Sequence, residues 1–262
     1  MIIFGEKFIS KRLKLLLIMV SMAIVAPAFS QQNLKILSED YPPLNYMEKG
    51  QLKGAAVDVV NLIQQQIGSE IPIDVLPWKR AYLIAESEPN IAIFSIAQSQ
   101  QRENKFVWIG PIGTLKYGFY GLAEREFTLS SIAQVRELRI GVQGGSRQEE
   151  YLNTQGLKGL QPVMLPTQNM GKLIKGRIDL WYTSYGTMSA FAKASNLKLN
   201  TIHEVFVVNY EDFYIAFNRH SSKALTDKWQ EAYKFLYEQG KIKEIYQKRQ
   251  EEHLFPATFS SD

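Results

Sequence analysis

The side chain in this sequence best suited to bind a small anion is Arg102, which lies in the polar segment 98–105. A guanidinium stays charged and presents a planar fork of donors that fits a carboxylate with two parallel hydrogen bonds. Most arginines are exposed, so this residue could equally lie on the surface or pair with Glu103. The residue types alone leave both interpretations open.

A second candidate for anion binding is Gly145-Ser146-Arg147, where a predicted strand gives way to a predicted helix. Free backbone N–H groups and the helix dipole favour an anion at such a point, and glycine lets a ligand approach the backbone. Ser146 could also cap the helix, and the two roles are compatible. The Lys-Ser/Thr pair of a phosphate-binding loop is missing, so this segment is not a P-loop.

Tyr41 and Trp78 are candidate walls of a binding pocket, because aromatic faces can stack on a ligand or a cation. Tyr41 precedes Pro42 and Pro43 on a loop at the end of a predicted strand, where α/β proteins usually bind ligands. Packing in the core is the alternative for either ring.

The composition excludes several kinds of catalysis. The 262-residue chain has no cysteine, so disulfides, thiolate metal sites and a cysteine nucleophile are impossible. Its three histidines, His203, His220 and His253, are far apart in the sequence, which disfavours a His-rich metal site or a His-based triad. We therefore expect no metal, no cofactor and no catalytic residues. Since 45% of the residues are apolar, the chain can bury enough surface to fold.

Residues 1–30 have the pattern of a secretory signal peptide. Four basic residues precede the apolar run 15–26, which is shorter than the roughly 20 residues that cross a bilayer. The small residues Ala28 and Ser30 predict cleavage after Ser30, and an uncleaved membrane anchor is the alternative. Removing these four bases and one acid lowers the formal net charge from +4 to about +1, and no clustered basic face remains for nucleic acid. We expect an exported protein that, having no cysteine for a lipid, is free.

Strand and helix patterns alternate in two series along the mature chain. The predicted strands are 34–37, 71–76, 91–94, 138–142, 163–165 and 178–182, and the predicted helices between and after them are 56–67, 78–85, 147–152, 170–175 and 188–194. Such alternation predicts an α/β fold with largely parallel sheets. Aromatic segments at 117–122 and 213–217 connect the two series, and helices at 225–237 and 242–248 end the chain.

Two α/β units joined by two extended segments predict a two-lobed clamshell with two hinge crossings. We assign residues 31–120 to the first lobe, 121–214 to the second lobe, and 215–262 to the return into the first lobe. Two independent domains joined by one linker are the alternative. No Pro/Gly/Ser-rich linker separates the halves, which favours the clamshell.

Four segments, in order along the mature chain, resemble the motifs of a known family. They are Tyr41-Pro42-Pro43-Leu44 with Gly54 and Asp58, Ser95 with Ser99-Gln100-Gln101-Arg102-Glu103, Trp108 and Pro111, the turn Gly141-Val142-Gln143-Gly144-Gly145-Ser146, and Gly176-Arg177-Ile178-Asp179. The sequence is similar to the type-3 extracellular solute-binding proteins, the periplasmic receptors of polar amino-acid uptake transporters. The resemblance implies a monomeric, non-enzymatic periplasmic receptor that passes a small carboxylate-bearing ligand to the membrane permease of an ABC transporter.

The resemblance also implies roles for individual residues. Arg102 is expected to grip the ligand's carboxylate with help from the Ser95 hydroxyl, and the turn 145–147 to meet the same group from the opposite lobe. Ser184 stands where amino-acid-binding relatives place the acid that neutralises the ligand's ammonium. A buried ammonium without a counter-charge is costly. Ser38 stands at a second position that is often acidic in relatives, although the adjacent Glu39 and Asp40 could substitute there. Both departures argue against a standard α-amino acid as the ligand.

Two other functions are compatible with this resemblance. A few relatives are dehydratases of prephenate or arogenate, which require a general acid placed in the cleft. The other function is a sensory role, in which the protein reports its ligand to a membrane kinase or chemoreceptor. Neighbouring genes for permease and ATPase subunits would favour transport over sensing.

Overall fold

The computed structural model describes residues 34–256, so the predicted signal peptide lies outside the described residues. The strands are β1 (Lys35–Ser38), β2 (Tyr46–Glu48), β3 (Gln51–Lys53), β4 (Ile73–Val75), β5 (Ile91–Ala97), β6 (Phe106–Leu122), β7 (Ile140–Gln143), β8 (Leu160–Val163), β9 (Leu180–Ser184) and β10 (Ile202–Asn218). The helices are α1 (Ala55–Gln66), α2 (Trp78–Ser87), α3 (Arg147–Thr154), α4 (Thr167–Ile174), α5 (Tyr185–Ala194), α6 (Lys223–Glu238) and α7 (Lys241–Arg249). None of the helices between residues 34 and 256 combines the length and apolarity needed to span a bilayer.

Eight strands form one sheet in the order β4-β1-β5-β10-β6-β9-β7-β8, and β2 and β3 form a separate hairpin. Strand β1 is parallel to β4 and β5 at one side, and β7 is parallel to β8 and β9 at the other. We call the first group, with α1 and α2, the first lobe, and the second group, with α3, α4 and α5, the second lobe. The long antiparallel strands β6 and β10 join the two lobes.

The chain passes between the lobes along β6 and β10, each of which is 17 residues long. The predicted lobe boundaries at residues 121 and 214 fall inside these two strands, and they stay predictions. The aromatic segments 117–122 and 213–217 identified the ends of β6 and β10 but not their full length. Glycine and proline in the first half of β6 hid the strand pattern in the sequence.

Apolar residues of α1 and β5 are buried in the first lobe. Ala56, Val59, Val60 and Ile63 recur at helical spacing, and all four are buried. Every residue of β5 is buried, as expected for a central strand that is covered on both faces. Helices α6 and α7 contact α1, so the end of the described chain packs on the first lobe.

One predicted strand is displaced. The prediction of a strand at 163–165 is wrong, because β8 ends at Val163 and Met164 and Leu165 are exposed. Strand β8 lies at the edge of the sheet, where Pro162 can be accommodated, and its burial is only partial. The apolar residues after it suggested a buried strand, but they lie on the surface instead.

Candidate functional site

Arg102 lies in the turn that follows β5, where its backbone N–H donates to the Ser99 carbonyl at 2.9 Å. Its side chain is only 1% exposed. The guanidinium carbon is 5.3 Å from the centre of the Trp78 ring and 5.0 Å from that of Tyr82, and the two ring centres are 5.7 Å apart, so the cation lies against both aromatic side chains. The structure therefore excludes the surface arginine that the sequence left open.

The guanidinium of Arg102 donates to acceptors from both lobes. In the first lobe, Nη1 donates to the carbonyl of Ala97 at 3.4 Å. From the second lobe, the Gly145 carbonyl accepts from Nη2 at 3.2 Å. Glu150 of α3 accepts through Oε1 alone, from Nε at 3.0 Å and from Nη2 at 2.5 Å. The fork that could bind a ligand's carboxylate is thus occupied by a carboxylate of this chain.

The turn 145–147 joins β7 to α3 and faces Arg102. Gly145 has a φ of +73°, a backbone conformation that favours glycine. Ser146 caps α3, because its Oγ accepts from the Glu149 N–H at 3.2 Å and donates to the Gln143 carbonyl at 2.6 Å. The Gly145 N–H, which the sequence predicted to be free for an anion, donates to Glu149 Oε2 at 2.6 Å. An internal carboxylate therefore occupies this donor too.

Further hydrogen bonds cross the cleft between the lobes. Trp78 Nε1 donates to the Gly145 carbonyl at 2.8 Å, and Gln143 Nε2 donates to Glu39 Oε2 at 2.6 Å. The indole thus serves as a donor across the cleft in addition to its contact with Arg102. These bonds hold the facing edges of the cleft together.

Arg147 also reaches across the cleft, which the sequence did not predict. Its Nε donates to the carbonyl of Gln98 at 3.1 Å. The guanidinium carbon is 5.6 Å from the centre of the Tyr151 ring, and Nε is 3.9 Å from Glu211 of β10. Arg147 therefore donates a hydrogen bond to a backbone carbonyl of the first lobe and lies near the carboxyl group of Glu211 in β10.

A cavity of about 10 Å³ lies between these groups, which is room for about one water. It is lined by Glu39, Tyr41, Trp78, Ser95, Ala97, Arg102, Gln143, Ser146, Arg147, Gln148 and Phe213. Of the predicted site residues, Gly145 supplies backbone groups beside it and Ser184 is not among the lining residues. A ligand larger than water can enter only when the lobes move apart.

Ser95 is the strained residue of the site. Its φ is +58°, in the left-handed region that a residue with a side chain rarely adopts, and this conformation costs about 1–3 kcal/mol. The side chain is buried, and its hydroxyl has no hydrogen-bond partner among residues 34–256. This hydroxyl lines the same cavity as Arg102 and can donate a hydrogen bond to a group that enters it.

Two buried carboxyl groups flank the cavity. Burial raises the pKa of Glu39 to about 8, even though the hydrogen bond from Gln143 favours its charged form. Glu39 is therefore mostly protonated at neutral pH. Burial also raises the pKa of Glu211, against the opposing effect of nearby Arg147 and the hydrogen bonds from Asn209 and Gln148.

Tyr41 lines the cavity and is buried. Its hydroxyl is 2.7 Å from that of Tyr117 of β6, and burial raises the pKa of Tyr41 well above its usual value. Its phenol is therefore neutral and hydrogen-bonded. The loop that follows is fixed to the second lobe, because Thr187 Oγ1 donates to the Pro42 carbonyl at 2.6 Å.

Ser184 has a structural role. It ends β9 and caps α5, since its Oγ accepts from the Thr187 N–H at 3.1 Å and lies 2.8 Å from Thr187 Oγ1. Helix α5 begins directly after the strand, so the hydroxyl folds back onto the helix start. At this position the chain has no acid that could neutralise a ligand's ammonium.

Several lining residues carried no distinct signal in the sequence. Gln148 is a common residue type without a diagnostic spacing. Gln143 lies within the motif 141–146 and Phe213 in the aromatic segment 213–217, but neither pattern marks its residue as part of a cavity, and only the folded chain brings the three together. Glu150 was also overlooked, although Glu149-Glu150 in the first turn after a Gly-Gly-Ser segment is an identifiable sign of acids near a helix start.

The fold and the cleft define a class of protein, the two-lobed periplasmic binding proteins. Residues 34–250 match the family model of the bacterial extracellular solute-binding proteins, family 3. The chain therefore belongs to that family, as its motifs predicted.

Solved structures have the same fold at low sequence identity. A histidine kinase sensor domain with similarity to periplasmic binding proteins has a TM-score of 0.74 and 16% identity, over 82% of this chain and 95% of that one. An ancestral arginine-binding protein bound to arginine has a TM-score of 0.72 and 17% identity, over 82% and 96%. The arginine-, lysine- and histidine-binding protein ArtJ from Geobacillus stearothermophilus has a TM-score of 0.70 and 18% identity, over 82% and 94%.

These likenesses confirm the predicted α/β clamshell fold. A comparison with curated protein sequences finds no significant match.

Proposed function

We propose that this protein is a periplasmic receptor that captures a small carboxylate-bearing ligand between its lobes and delivers it to the permease of an ABC transporter. The observation that carries the proposal is the burial of Arg102 in the cleft, where its fork already binds a carboxylate. A buried guanidinium is costly unless it is paired, so this position selects for an anionic partner.

The groups beside Arg102 suit the oxygens of the same carboxylate. The Ser95 hydroxyl is buried and without a partner among the described residues, and the Arg147 guanidinium lines the same cavity from the second lobe. Because these donors belong to different lobes, a ligand that contacts both stabilises the closed cleft. This coupling of binding to closure is what a receptor needs to signal its loaded state to a partner.

The other end of the ligand is expected to meet Glu39. This carboxyl is buried, lines the same cavity and accepts a hydrogen bond from the neutral Gln143 amide at its Oε2. An ammonium group of an amino acid or related ligand would stabilise the charged form of Glu39 and so lower its pKa. Binding of such a ligand would therefore release a proton near neutral pH.

Titration calorimetry of the mature protein tests the proposal. The probes are the twenty standard amino acids and a set of small organic acids. The test variant is Arg102→Lys, which retains the positive charge of the side chain but not the planar fork of donors. We expect at least one carboxylate to bind, with affinity at least about tenfold lower in Arg102→Lys. The exposed Arg136→Lys is the matched control and should bind as the wild type does. Equal binding by Arg102→Lys would contradict the proposal.

Export, a free monomeric state and the ABC transporter are parts of the same proposal. Cell fractionation should place the protein in the periplasm with Gln31 as its first residue, and light scattering should give the mass of a monomer. Two findings support this interpretation: the family is one of extracellular solute-binding proteins, and one structural relative is the substrate-binding protein of an ABC uptake transporter. Mass spectrometry of a small molecule that copurifies with the protein would identify the ligand directly.

An enzyme on the same scaffold is the second candidate function. The observation that favours it is Glu39, a buried carboxyl in the cleft whose raised pKa of about 8 leaves it protonated and able to act as a general acid. We propose that the protein is not an enzyme, since the family is one of binding proteins. Incubation with prephenate, followed by ultraviolet absorbance, should show no product, and conversion that Glu39→Gln abolishes would establish the enzymatic function instead.

A further inference from the structure

The acids at the start of α3 occupy the two donors that the sequence assigned to a ligand. Glu149 accepts from the Gly145 N–H at 2.6 Å, and Glu150 accepts from Arg102 at 3.0 and 2.5 Å. The first contact lies within the second lobe, whereas the second joins the second lobe to the first. The ion pair of Glu150 therefore differs from the hydrogen bond of Glu149, because the ion pair must break when the lobes separate.

We infer that Glu150 is an internal competitor of the ligand, which occupies the fork of Arg102 in the unliganded closed protein and must be displaced by the ligand's carboxylate. This inference rests on the proposed function where it concerns the ligand. Its conformational part concerns the protein alone: the Arg102–Glu150 pair stabilises closure without a ligand.

The two partners of this ion pair are held very differently. The Arg102 side chain is 1% exposed and is also bound by two aromatic rings and the Ala97 carbonyl. The Glu150 side chain is 25% exposed and lies in the first turn of an eight-residue helix. When the pair breaks, Glu150 can turn into water at little cost, whereas Arg102 stays in place for the next carboxylate.

The hydrogen bonds of Glu150 leave part of its carboxylate unused. Both donors of Arg102 converge on Oε1, while Oε2 is buried and has no hydrogen-bond partner in the described part of the chain. A carboxylate that enters with free orientation can place one oxygen on each arm of the fork. The internal pair is therefore weaker than the pair that a well-placed ligand can make.

An internal competitor also determines which ligands bind. Glu150 is tethered beside Arg102, so its effective concentration there far exceeds that of a free ligand. Only a ligand with further contacts in the cleft, such as those with Ser95 and Glu39, can displace it. The pair also reduces the fraction of molecules that are open and able to bind, which weakens the apparent affinity for every ligand.

The conformational part is tested by a distance measurement without ligand. The natural chain has no cysteine, so cysteines introduced at Arg80 and Met164 can be spin-labelled specifically. These residues lie on opposite lobes along one surface groove, and Met164 is 66% exposed. We expect one short distance in the wild type, and a second, longer population in Glu150→Gln and Glu150→Ala, because the closed state would leave Arg102 buried without a charged partner.

The matched control for this measurement is Glu137→Gln, which removes the same charge from an exposed position of the second lobe. It should keep the wild-type distance. Circular dichroism checks that each variant is folded. An unchanged short distance in both folded Glu150 variants would overturn the inference.

The ligand part is tested by calorimetry with L-arginine, L-lysine and L-histidine as probes. For any probe that binds, we expect Glu150→Gln to bind about tenfold more tightly than the wild type, as one charged hydrogen-bond partner is no longer displaced. Equal or weaker binding would contradict the competition. If no carboxylate binds to any variant, the proposed ligand class fails, whereas the distance measurement still decides the role of Glu150.

Discussion

The two lobes contribute to the cleft in different ways. The first lobe presents β5, which is buried along its whole length, and Arg102, which lies against two aromatic side chains. The second lobe presents the first turn of α3, where Arg147 and Glu150 remain about one-quarter exposed. The first lobe therefore forms a preorganised binding surface, and the second lobe supplies groups that can exchange partners.

The physical reason is the different cost of moving a charge. A buried guanidinium cannot leave its site without losing its aromatic and carbonyl contacts, and it gains water only if the cleft opens. A carboxylate on a short surface helix regains water by one side-chain rotation. Ligand selectivity is thus expected to depend on the first lobe, and the balance between open and closed forms on the second.

The largest expected effect concerns Glu39, the neutral acid of the first lobe. Its pKa is raised from 4.5 to about 8, so the protonated form stabilises the fold and this contribution is lost as the pH rises through about 8. Between these two values the wild type should lose up to about 1.4 kcal/mol of unfolding free energy per pH unit. Urea denaturation at several pH values should show that the unfolding free energy of Glu39→Gln falls less steeply with pH than that of the wild type. The pH dependence that remains is attributed to Glu211.

A pH slope in Glu39→Gln equal to that of the wild type would show that the first-lobe acid is charged in the folded protein. The matched variant is Glu211→Gln, which removes the other buried carboxyl whose pKa burial raises.

The next effect compares the two partners of the ion pair. Arg102→Ala should lower the free energy of unfolding by about 2 kcal/mol, since it removes a desolvated cation from two aromatic side chains. Glu150→Ala should cost about 1 kcal/mol or less, because the cleft can open and hydrate Arg102. Urea denaturation of both variants measures the difference. Equal losses would show that the two lobes hold their charges with similar rigidity.

The smallest effect separates two helix caps of the second lobe. Ser184→Ala and Ser146→Ala should each lower the unfolding free energy by about 1 kcal/mol, as each hydroxyl accepts from a backbone N–H at a helix start. Only Ser146 lines the cavity, so only Ser146→Ala should also weaken ligand binding in calorimetry. Weaker binding by Ser184→Ala would place that residue in the ligand site after all.

The amino-acid sequence by itself determined the family and the alternation of strands and helices, and it singled out Arg102 as the first candidate for binding. These features depend on local patterns: apolar spacing in α1, the turn before α3, and residue types that follow each other along the chain. The displaced strand β8 shows the limit of such patterns, because Met164 and Leu165 are apolar yet exposed.

Only the tertiary structure decided what Arg102 contacts. Glu150 is 48 residues away in the chain, and Gln143 and Glu39 are 104 apart, so no local pattern links either pair. These residues come into contact because β6 and β10 connect the two lobes and set the position of one against the other. Burial then determines which groups are charged and which donors remain free, since both depend on the water that the folded chain excludes.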